Sequence, residues 1–290
     1  MIDVKTDNFP PPIILIGAAR SGTKFLRDCL AASPDCVAVP YDINYIWRYG
    51  QASLEHDILD PKKVSQKTRS FIQKSIRKIS GAQKSDKIIE KTVSNTLRIP
   101  YVNEIYPDAV YVHLIRDGRA VTESSMRQWI NPPDTKALLT KLRTMPIQNI
   151  GYVFWYLGNI LSGLFKGGRK GGNVWGPRYS QIMHDSQTNS LAEVCAKQWK
   201  ECIEKSLADL VIIDEKRVHT IRYEDLVLGR DSITELAKKL ELSNPEACAD
   251  AMVKNLRVST CAPAWTKLSK ENIDKINSVL SDTLMELGYE

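Results

Sequence analysis

The sequence contains few of the residues that build metal centres or disulfide frameworks. Its four histidines are dispersed without the close spacing of metal ligands, and its six cysteines form no C-x-x-C pair. The cysteines are scattered through helix-like segments, so we expect free thiols in a reducing compartment. We predict no metal site.

The chain also lacks long uninterrupted apolar runs. Its longest apolar stretch, residues 150–165, is interrupted by Asn159, Ser162 and three glycines, which argues against a transmembrane helix. No charged segment followed by an apolar run opens the sequence, so we predict no secretory signal and expect a cytoplasmic protein. The net charge of +6 suits polyanionic ligands but is too small to predict a nucleic-acid partner.

The 290 residues are 43% hydrophobic and show no repeat or low-complexity tract, which favours one sizeable domain. Residues 1–12 end in three prolines and are predicted to be an extended lead-in to a domain over residues 13–290. Apolar runs alternate with helix-like segments, which predicts an α/β fold with a central parallel sheet flanked by helices. The predicted strands are residues 13–16, 36–40, 87–90, 110–115 and 217–221. The predicted helices are residues 23–32, 62–79, 97–106, 120–128, 136–142, 147–165, 191–207, 232–240, 245–255 and 269–287.

A glycine-containing loop, residues 17–23 with sequence GAARSGT, joins the first predicted strand to the first predicted helix. N–H groups at a helix start lack partners within the helix, and the helix dipole adds partial positive charge, so this loop suits a phosphate or sulfate. Its glycines have the spacing of a nucleoside-triphosphate loop. However, Thr23-Lys24 reverses the Lys-Ser/Thr order of that motif, and Arg20 places a cation inside the loop. These residues favour anion binding over a plain strand-to-helix turn.

A second stretch of interest follows the predicted strand at residues 110–115. Arg116 comes directly after this strand, and Ser124 lies eight residues later in the next predicted helix. An arginine supplies fork-shaped donors and a serine supplies a hydroxyl, so the two can converge on one phosphate. A surface salt-bridge network of Arg116, Asp117 and Arg119 is the alternative. Because parallel strands end at a common edge, both loops should lie side by side.

Together these motifs resemble the sulfotransferases that use 3′-phosphoadenosine 5′-phosphosulfate (PAPS). Residues 20–23, RSGT, are similar to the 5′-phosphosulfate loop of carbohydrate, tyrosyl-protein and bacterial members. Arg116 and Ser124 have the spacing of the family's 3′-phosphate motif, and residues 221–226, IRYEDL, resemble a late strand and turn in which Tyr223 lies against adenine. Shorter matches at residues 90–92, 175–178 and 265–289 extend the resemblance over most of the chain.

The resemblance implies a P-loop-like three-layer fold. It also implies transfer of a sulfuryl group from PAPS to an acceptor hydroxyl or amine by in-line displacement, leaving 3′,5′-phosphoadenosine (PAP) without the help of a metal. N–H groups of residues 21–23 would hold the 5′-phosphate, and Arg20 would neutralise charge on the leaving bridging oxygen. The residues implied to bind PAPS are Arg20, Ser21, Gly22, Thr23, Lys24, Phe25, Arg116, Ser124 and Tyr223.

The general base has more than one candidate. Family members commonly use a Glu or a His, and several branches place the Glu shortly after the first helix, where the nearest carboxylate here is Asp42. We take Asp42 as the base, with a helix-capping role as the alternative. Glu90 and His113 are further candidates, although a histidine in mid-strand is more typical of a packing residue.

Aromatic residues indicate where an acceptor could bind. Tyr45, Trp47, residues 147–165 and residues 175–178 could line an acceptor cleft, with residues 147–190 forming an acceptor-side insertion. Aromatic faces favour a glycan or glycolipid acceptor, and ordinary core packing is the alternative. The same aromatics and the sequence KGGRKGGN at residues 166–173 are also compatible with contact with a membrane surface.

Two other functions stay open on the sequence. A nucleotide kinase or NTPase would use the same sheet and loop but would require magnesium. A non-catalytic PAP-binding protein would keep the nucleotide residues without turnover, and Asp42 in place of the family's Glu keeps this alternative open.

Overall fold

The computed structural model describes residues 9–130, 174–256 and 263–289 of the chain. Five strands in these ranges form one sheet with the order β2-β3-β1-β4-β5. Every neighbouring pair of strands is parallel, which confirms the predicted α/β fold. The strands are β1 (Ile13–Ile16), β2 (Cys36–Ala38), β3 (Lys87–Glu90), β4 (Val110–Ile115) and β5 (Val218–Arg222).

Helices cover both faces of the sheet. Those between the first and last strands are α1 (Thr23–Leu30), α2 (Asn44–Trp47), α3 (Gln66–Ser80), α4 (Ile99–Ile105), α5 (Gly118–Ile130), α6 (Ile182–Thr188) and α7 (Leu191–Leu210). Those after β5 are α8 (Tyr223–Leu228), α9 (Arg230–Lys239), α10 (Pro245–Asn255) and α11 (Lys270–Glu286). None of the helices in the described ranges is both long and apolar enough to cross a membrane.

The helix predicted over residues 62–79 begins at Gln66, four residues later than predicted, because side chains cap two separate elements there. Asp60 accepts from the Lys62 N–H and caps a 3₁₀ turn at Pro61–Lys63. Ser65 then accepts from the Thr68 N–H over 3.1 Å and starts α3. The short helices α6 and α8 and a 3₁₀ helix at Val93–Leu97 were not predicted. They are too brief to show an apolar period.

Several predictions concern residues outside the described ranges. These are most of the lead-in, the helices at residues 136–142 and 147–165, and the KGGRKGGN segment. Of the predicted acceptor-side insertion, only residues 174–190 are described.

The apolar run of β1 is explained by burial on both faces of the sheet. Ile14 and Ile16 pack with α2, α3 and α4, whereas Ile13 and Leu15 pack with α1, α9 and α10. Burying such a side chain contributes about 1.5–3 kcal/mol, so the run specifies a central strand. A third cluster packs α5, α7 and α11 around Trp199.

The strand order places the important loops together. The central strand β1 lies beside β4, with Ile16 opposite His113, and β4 lies beside β5, with Ile115 opposite Arg222. The segments that follow β1, β4 and β5 therefore leave the same edge of the sheet next to one another. Ligands of open α/β sheets bind at this carboxyl edge.

Candidate active site

The loop between β1 and α1 turns sharply at residues 20–22. Arg20 and Gly22 have left-handed backbones, with φ of 75° and 97°, and the Ser21 N–H donates to the Ala18 carbonyl over 3.1 Å. A Cβ at Gly17 would lie 2.8 Å from a backbone oxygen of β4, closer than Cβ atoms approach. A left-handed arginine costs on the order of 1–3 kcal/mol, and such strain tends to cluster at functional sites.

The Tyr223 ring, at the start of α8, packs against this loop. A Cβ at Gly22 would lie 2.5 Å from the ring, so the ring approaches closely because residue 22 is glycine. The Arg116 guanidinium carbon lies 4.1 Å from the centroid of the same ring, in a cation–π contact. Tyr223 therefore joins the loop after β1 to the arginine at the end of β4.

The predicted nucleotide residues meet through direct hydrogen bonds. Arg20 Nε donates to Ser124 Oγ over 2.9 Å, across 104 positions in the sequence. Arg116 Nη1 donates to the Arg20 carbonyl over 3.1 Å. The structure thus brings together Arg20, Arg116, Ser124 and Tyr223, which come from three separate stretches of the chain.

The Arg20 guanidinium lies among other charges, although the residue is exposed overall. Partial burial and the neighbouring Arg127 and Arg116 lower the pKa of Arg20, and Glu123 opposes this effect. Arg20 stays cationic at neutral pH. Glu123 also pairs with Arg127 over 3.2 Å. The excess of arginines suits an anion, and Arg127, three residues after Ser124, is a further candidate that the sequence did not indicate.

The loop can hold a phosphate, with one correction to the sequence prediction. The Ser21 N–H, expected to be free, already donates to the Ala18 carbonyl. The first turn of α1, which begins at Thr23, offers N–H groups that lack a partner within the helix. The Ser21 hydroxyl is buried without a hydrogen-bond partner, and such an orphaned group is the kind of feature that a bound ligand oxygen would satisfy.

Asp42 and Lys91 lie at the same edge of the sheet, beyond β2 and β3. Asp42 Oδ1 accepts from the Asn44 N–H over 3.2 Å, and its Oδ2 accepts from the Val93 N–H over 3.1 Å. Lys91 Nζ is 3.7 Å from Asp42 Oδ2. Asp42 thus bonds the first residue of α2 but lies one residue before its N-cap, Ile43, which makes no side-chain cap. Part of the Asp42 side chain remains exposed. Lys91 adjoins the predicted Glu90 but was not singled out from the sequence.

Glu90 lies inside the protein and is 0% exposed. Its carboxylate accepts from Thr92 Oγ1 over 2.5 Å and from Asn95 Nδ2 over 2.9 Å. Burial raises the pKa of Glu90 from 4.5 to about 7, and the hydrogen bond from Thr92 opposes the rise. In this conformation an acceptor cannot reach the carboxyl, so its position disfavours Glu90 as the base.

Replacing Glu90 with Gln should change how stability depends on pH. Because the folded pKa is raised, the native state keeps a proton that the unfolded chain has lost between about pH 4.5 and 7, so the wild type loses stability across that range. Glu90→Gln has no proton to lose. We expect its free energy of unfolding, relative to wild type, to rise by on the order of 2 kcal/mol from pH 5 to pH 8. Urea unfolding at both pH values measures this, and a pH-independent difference would contradict it.

His113 is a packing residue in the structure. It is 0% exposed in the middle of β4, and its Nε2 lies 3.0 Å from Ser206 Oγ of α7. Burial lowers the pKa of His113 to about 4, so the ring is neutral at physiological pH. Its burial and its distance along β4 from the loop at residues 116–118 disfavour a role as base.

The segment Trp175–Arg178 is anchored at several points. Gln198 Nε2 donates to the Trp175 carbonyl over 2.8 Å and to the Pro177 carbonyl over 2.7 Å. Buried Asp57 accepts from the Arg178 N–H over 2.9 Å and donates its own N–H to the Arg178 carbonyl over 2.7 Å. The segment is therefore held rigidly. Asp57 and Gln198 carry no motif, so sequence reasoning could not have found them.

Comparison with known proteins shows similarity to sulfotransferases. A family model described as the Sulfotransferase family matches residues 11–145, which include the loop after β1, Asp42, Lys91, Arg116 and Ser124. Residues 11–145 of this chain therefore resemble the sulfotransferase family. The family match and the similar proteins support an enzyme that transfers sulfuryl groups, as the resemblance of its motifs predicted.

Individual sulfotransferases are similar over almost the whole chain. Protein-tyrosine sulfotransferase A of Caenorhabditis elegans is 22% identical over 306 residues, covering 98% of this chain and 68% of that protein. The structure of sulfotransferase STF9 from Mycobacterium avium superposes with a TM-score of 0.51 at 10% identity, over 96% of this chain and 77% of that one. A sulfotransferase domain of the Synechococcus PCC 7002 olefin synthase gives 0.50 at 14% identity, over 93% and 94%. At these identities the structural likeness shows the fold.

The described residues contain no group of three or more side chains suited to hold a metal ion. Two of the carboxylates described above are paired with basic side chains, Glu123 with Arg127 and Asp42 with Lys91.

Proposed function

We propose that this enzyme transfers the sulfuryl group of PAPS to a hydroxyl or amine of an acceptor, releasing PAP. One observation supports this proposal most directly. Four residues from three separate stretches contact one another at the loop after β1, namely Arg20, Arg116, Ser124 and Tyr223. A nucleoside-triphosphate loop would instead present a lysine to the outer phosphates, and here the cation comes from inside the loop. We further propose that residues 13–290 form one domain and that residues 147–190 lie on its acceptor side. We propose a cytoplasmic location for the enzyme.

The two anionic ends of PAPS would bind to different residues. The N–H groups at the start of α1 and the Ser21 hydroxyl would hold the 5′-phosphate. Arg116 and Ser124 would hold the 3′-phosphate, with Arg127 adding positive charge. Tyr223 would offer an edge to the adenine, since its ring is held between Gly22 and Arg116.

Arg20 would act on the bond that breaks. In the proposed step an acceptor oxygen or nitrogen attacks sulfur in line, the S–O bond to the 5′-phosphate breaks, and its electron pair stays on the phosphate oxygen. A guanidinium near that oxygen stabilises charge that develops only in the transition state. Ser124 holds Arg20 Nε in the structure, and the nucleotide would compete for both groups.

Asp42→Asn should reduce turnover by about 10²–10⁴-fold while PAP affinity stays unchanged, if Asp42 takes the acceptor proton. Steady-state rates and calorimetry of PAP binding measure the two quantities. The matched control is Asp86→Asn, because Asp86 also accepts from a backbone N–H, that of Gln83, but lies before β3 at the opposite edge of the sheet. Near-normal turnover of Asp42→Asn would remove Asp42 as the base and leave its contacts with Asn44 and Val93 as its role.

The acceptor proposed from the aromatic residues is a glycan or glycolipid. The rigid segment Trp175–Arg178 supports a defined wall for an acceptor cleft, because Asp57 and Gln198 fix its backbone. A similar protein is named a protein-tyrosine sulfotransferase, so tyrosine-containing peptides are the second acceptor class to test.

Calorimetric titration with PAP and with ATP, each with and without magnesium, tests the proposal. We expect magnesium-independent binding of PAP and weak binding of ATP. A screen with labelled PAPS against glycans, glycolipids and tyrosine peptides follows. Magnesium-dependent ATP binding without PAP binding would overturn the proposal, and PAP binding without turnover on any acceptor would favour the non-catalytic alternative.

A further inference from the structure

Glu224, in the first turn of α8, connects two distant parts of the chain. Its Oε1 accepts from the Asp117 N–H over 3.1 Å, directly after Arg116. Its Oε2 accepts from the Tyr289 hydroxyl over 2.8 Å, near the C-terminal end of the described residues. Burial and the Glu224 carboxylate raise the pKa of Tyr289, so the phenol keeps its proton and can donate it at neutral pH.

The segment that carries Tyr289 is itself held in place. The Tyr289 N–H donates to the Leu284 carbonyl of α11 over 2.9 Å. Arg222 donates to the Leu287 carbonyl, and its guanidinium carbon lies 4.9 Å from the centroid of the Tyr289 ring. Gly288 permits the turn between them with φ of 70°. The segment therefore packs on the residues that follow β5.

Residues 222–224 contact both the C-terminal segment and the residues proposed to bind the nucleotide. Arg222 and Glu224 hold the segment Leu287–Tyr289, whereas Tyr223 between them contacts Arg116 and Gly22. The loop after β4 is pinned from both sides, because the Asp117 carboxylate accepts from the Arg119 N–H over 2.8 Å at the start of α5.

We propose that Glu224 and Tyr289 are positioning residues for Arg116: the C-terminal segment acts through Glu224 to fix the loop whose arginine reads the 3′-phosphate. This inference rests on the proposed function of Arg116. Neither residue touches the nucleotide. They restrict the Asp117 backbone, so Arg116 loses less freedom when it meets the phosphate. By reciprocity, nucleotide binding must tighten the docking of the C-terminal segment by the same factor.

The test compares PAP with adenosine 5′-phosphosulfate, which lacks the 3′-phosphate. We expect Tyr289→Phe and Glu224→Gln each to weaken PAP binding about five- to tenfold, and binding of adenosine 5′-phosphosulfate less than about twofold. The KM for PAPS should rise with little change in kcat. In hydrogen exchange, the Asp117 amide should exchange faster in Glu224→Gln and Glu224→Ala, and PAP should slow exchange over residues 284–289 of the wild type.

The matched control is Thr283→Val, which also deletes a hydroxyl that donates to a carboxylate from the C-terminal helix. Thr283 Oγ1 donates to Glu204 of α7 over 2.7 Å, away from the Asp117 loop. We expect a similar loss of stability without a change in the preference for PAP. Equal losses for both nucleotides, or unchanged PAP affinity in Tyr289→Phe, would overturn the inference. If the wild type bound no PAP, the proposed function would fail, and unchanged Asp117 exchange would separately refute the positioning role.

Discussion

Arg20→Ala should abolish measurable transfer while PAP still binds. We expect kcat/KM to fall by about 10³-fold or more, because Arg20 would meet developing charge on the leaving oxygen. PAP carries no sulfuryl group, so its affinity should fall by about tenfold or less. The remaining ligands, Arg116 and Ser124, belong to other elements, although Arg116 also donates to the Arg20 carbonyl. A coupled assay with PAPS and calorimetry with PAP measure the two losses.

Two further variants test whether the effect depends on the guanidinium group and on its position. Arg20→Lys keeps the charge but loses the planar Nε–H that donates to Ser124, so we expect partial recovery of transfer relative to alanine. Lys78→Ala removes an exposed cation from α3 on another part of the surface and should leave both quantities unchanged. Equal losses of transfer and PAP affinity in Arg20→Ala would show that Arg20 binds the nucleotide without a special role in the transition state.

Arg116→Ala should weaken PAP binding about 100-fold and binding of adenosine 5′-phosphosulfate about fivefold or less. The large effect would come from the charge-assisted contacts that an arginine makes with the 3′-phosphate. The small effect would come from the contacts of Arg116 with the Arg20 carbonyl and the Tyr223 ring, which support the loop for either nucleotide. Calorimetry with both nucleotides separates the two contributions.

Arg119→Ala is the control for Arg116, since it removes the same charge three residues away. Its guanidinium pairs with Asp117 over 2.9 Å and lies 4.7 Å from the Trp265 ring centroid. We expect less than a threefold change in PAP affinity. If Arg119→Ala weakened PAP as much as Arg116→Ala, general positive charge would explain the affinity, and Arg116 would not be the reader of the 3′-phosphate.

The central elements could be predicted because their information is local. The apolar runs of β1 and β4 specify strands buried on both faces, and their predicted bounds agree with the structure. The spacing of Arg116 and Ser124, and the order of residues 20–23, were also readable in one short stretch each. Element ends were less accurate, as at α3, because capping side chains decide them.

The sequence by itself determined the parallel α/β fold, the resemblance to sulfotransferases and, apart from Arg127, the residues that we propose to meet PAPS. Only the tertiary structure decided how those residues contact one another and which other groups support them. It showed that Glu90 is buried, that Asp57 and Gln198 hold Trp175–Arg178, and that Glu224 links Asp117 to Tyr289. The physical reason is the range of the interactions: strands and loops follow from neighbouring residues, whereas a buried carboxylate or amide finds its partners only after distant segments have packed.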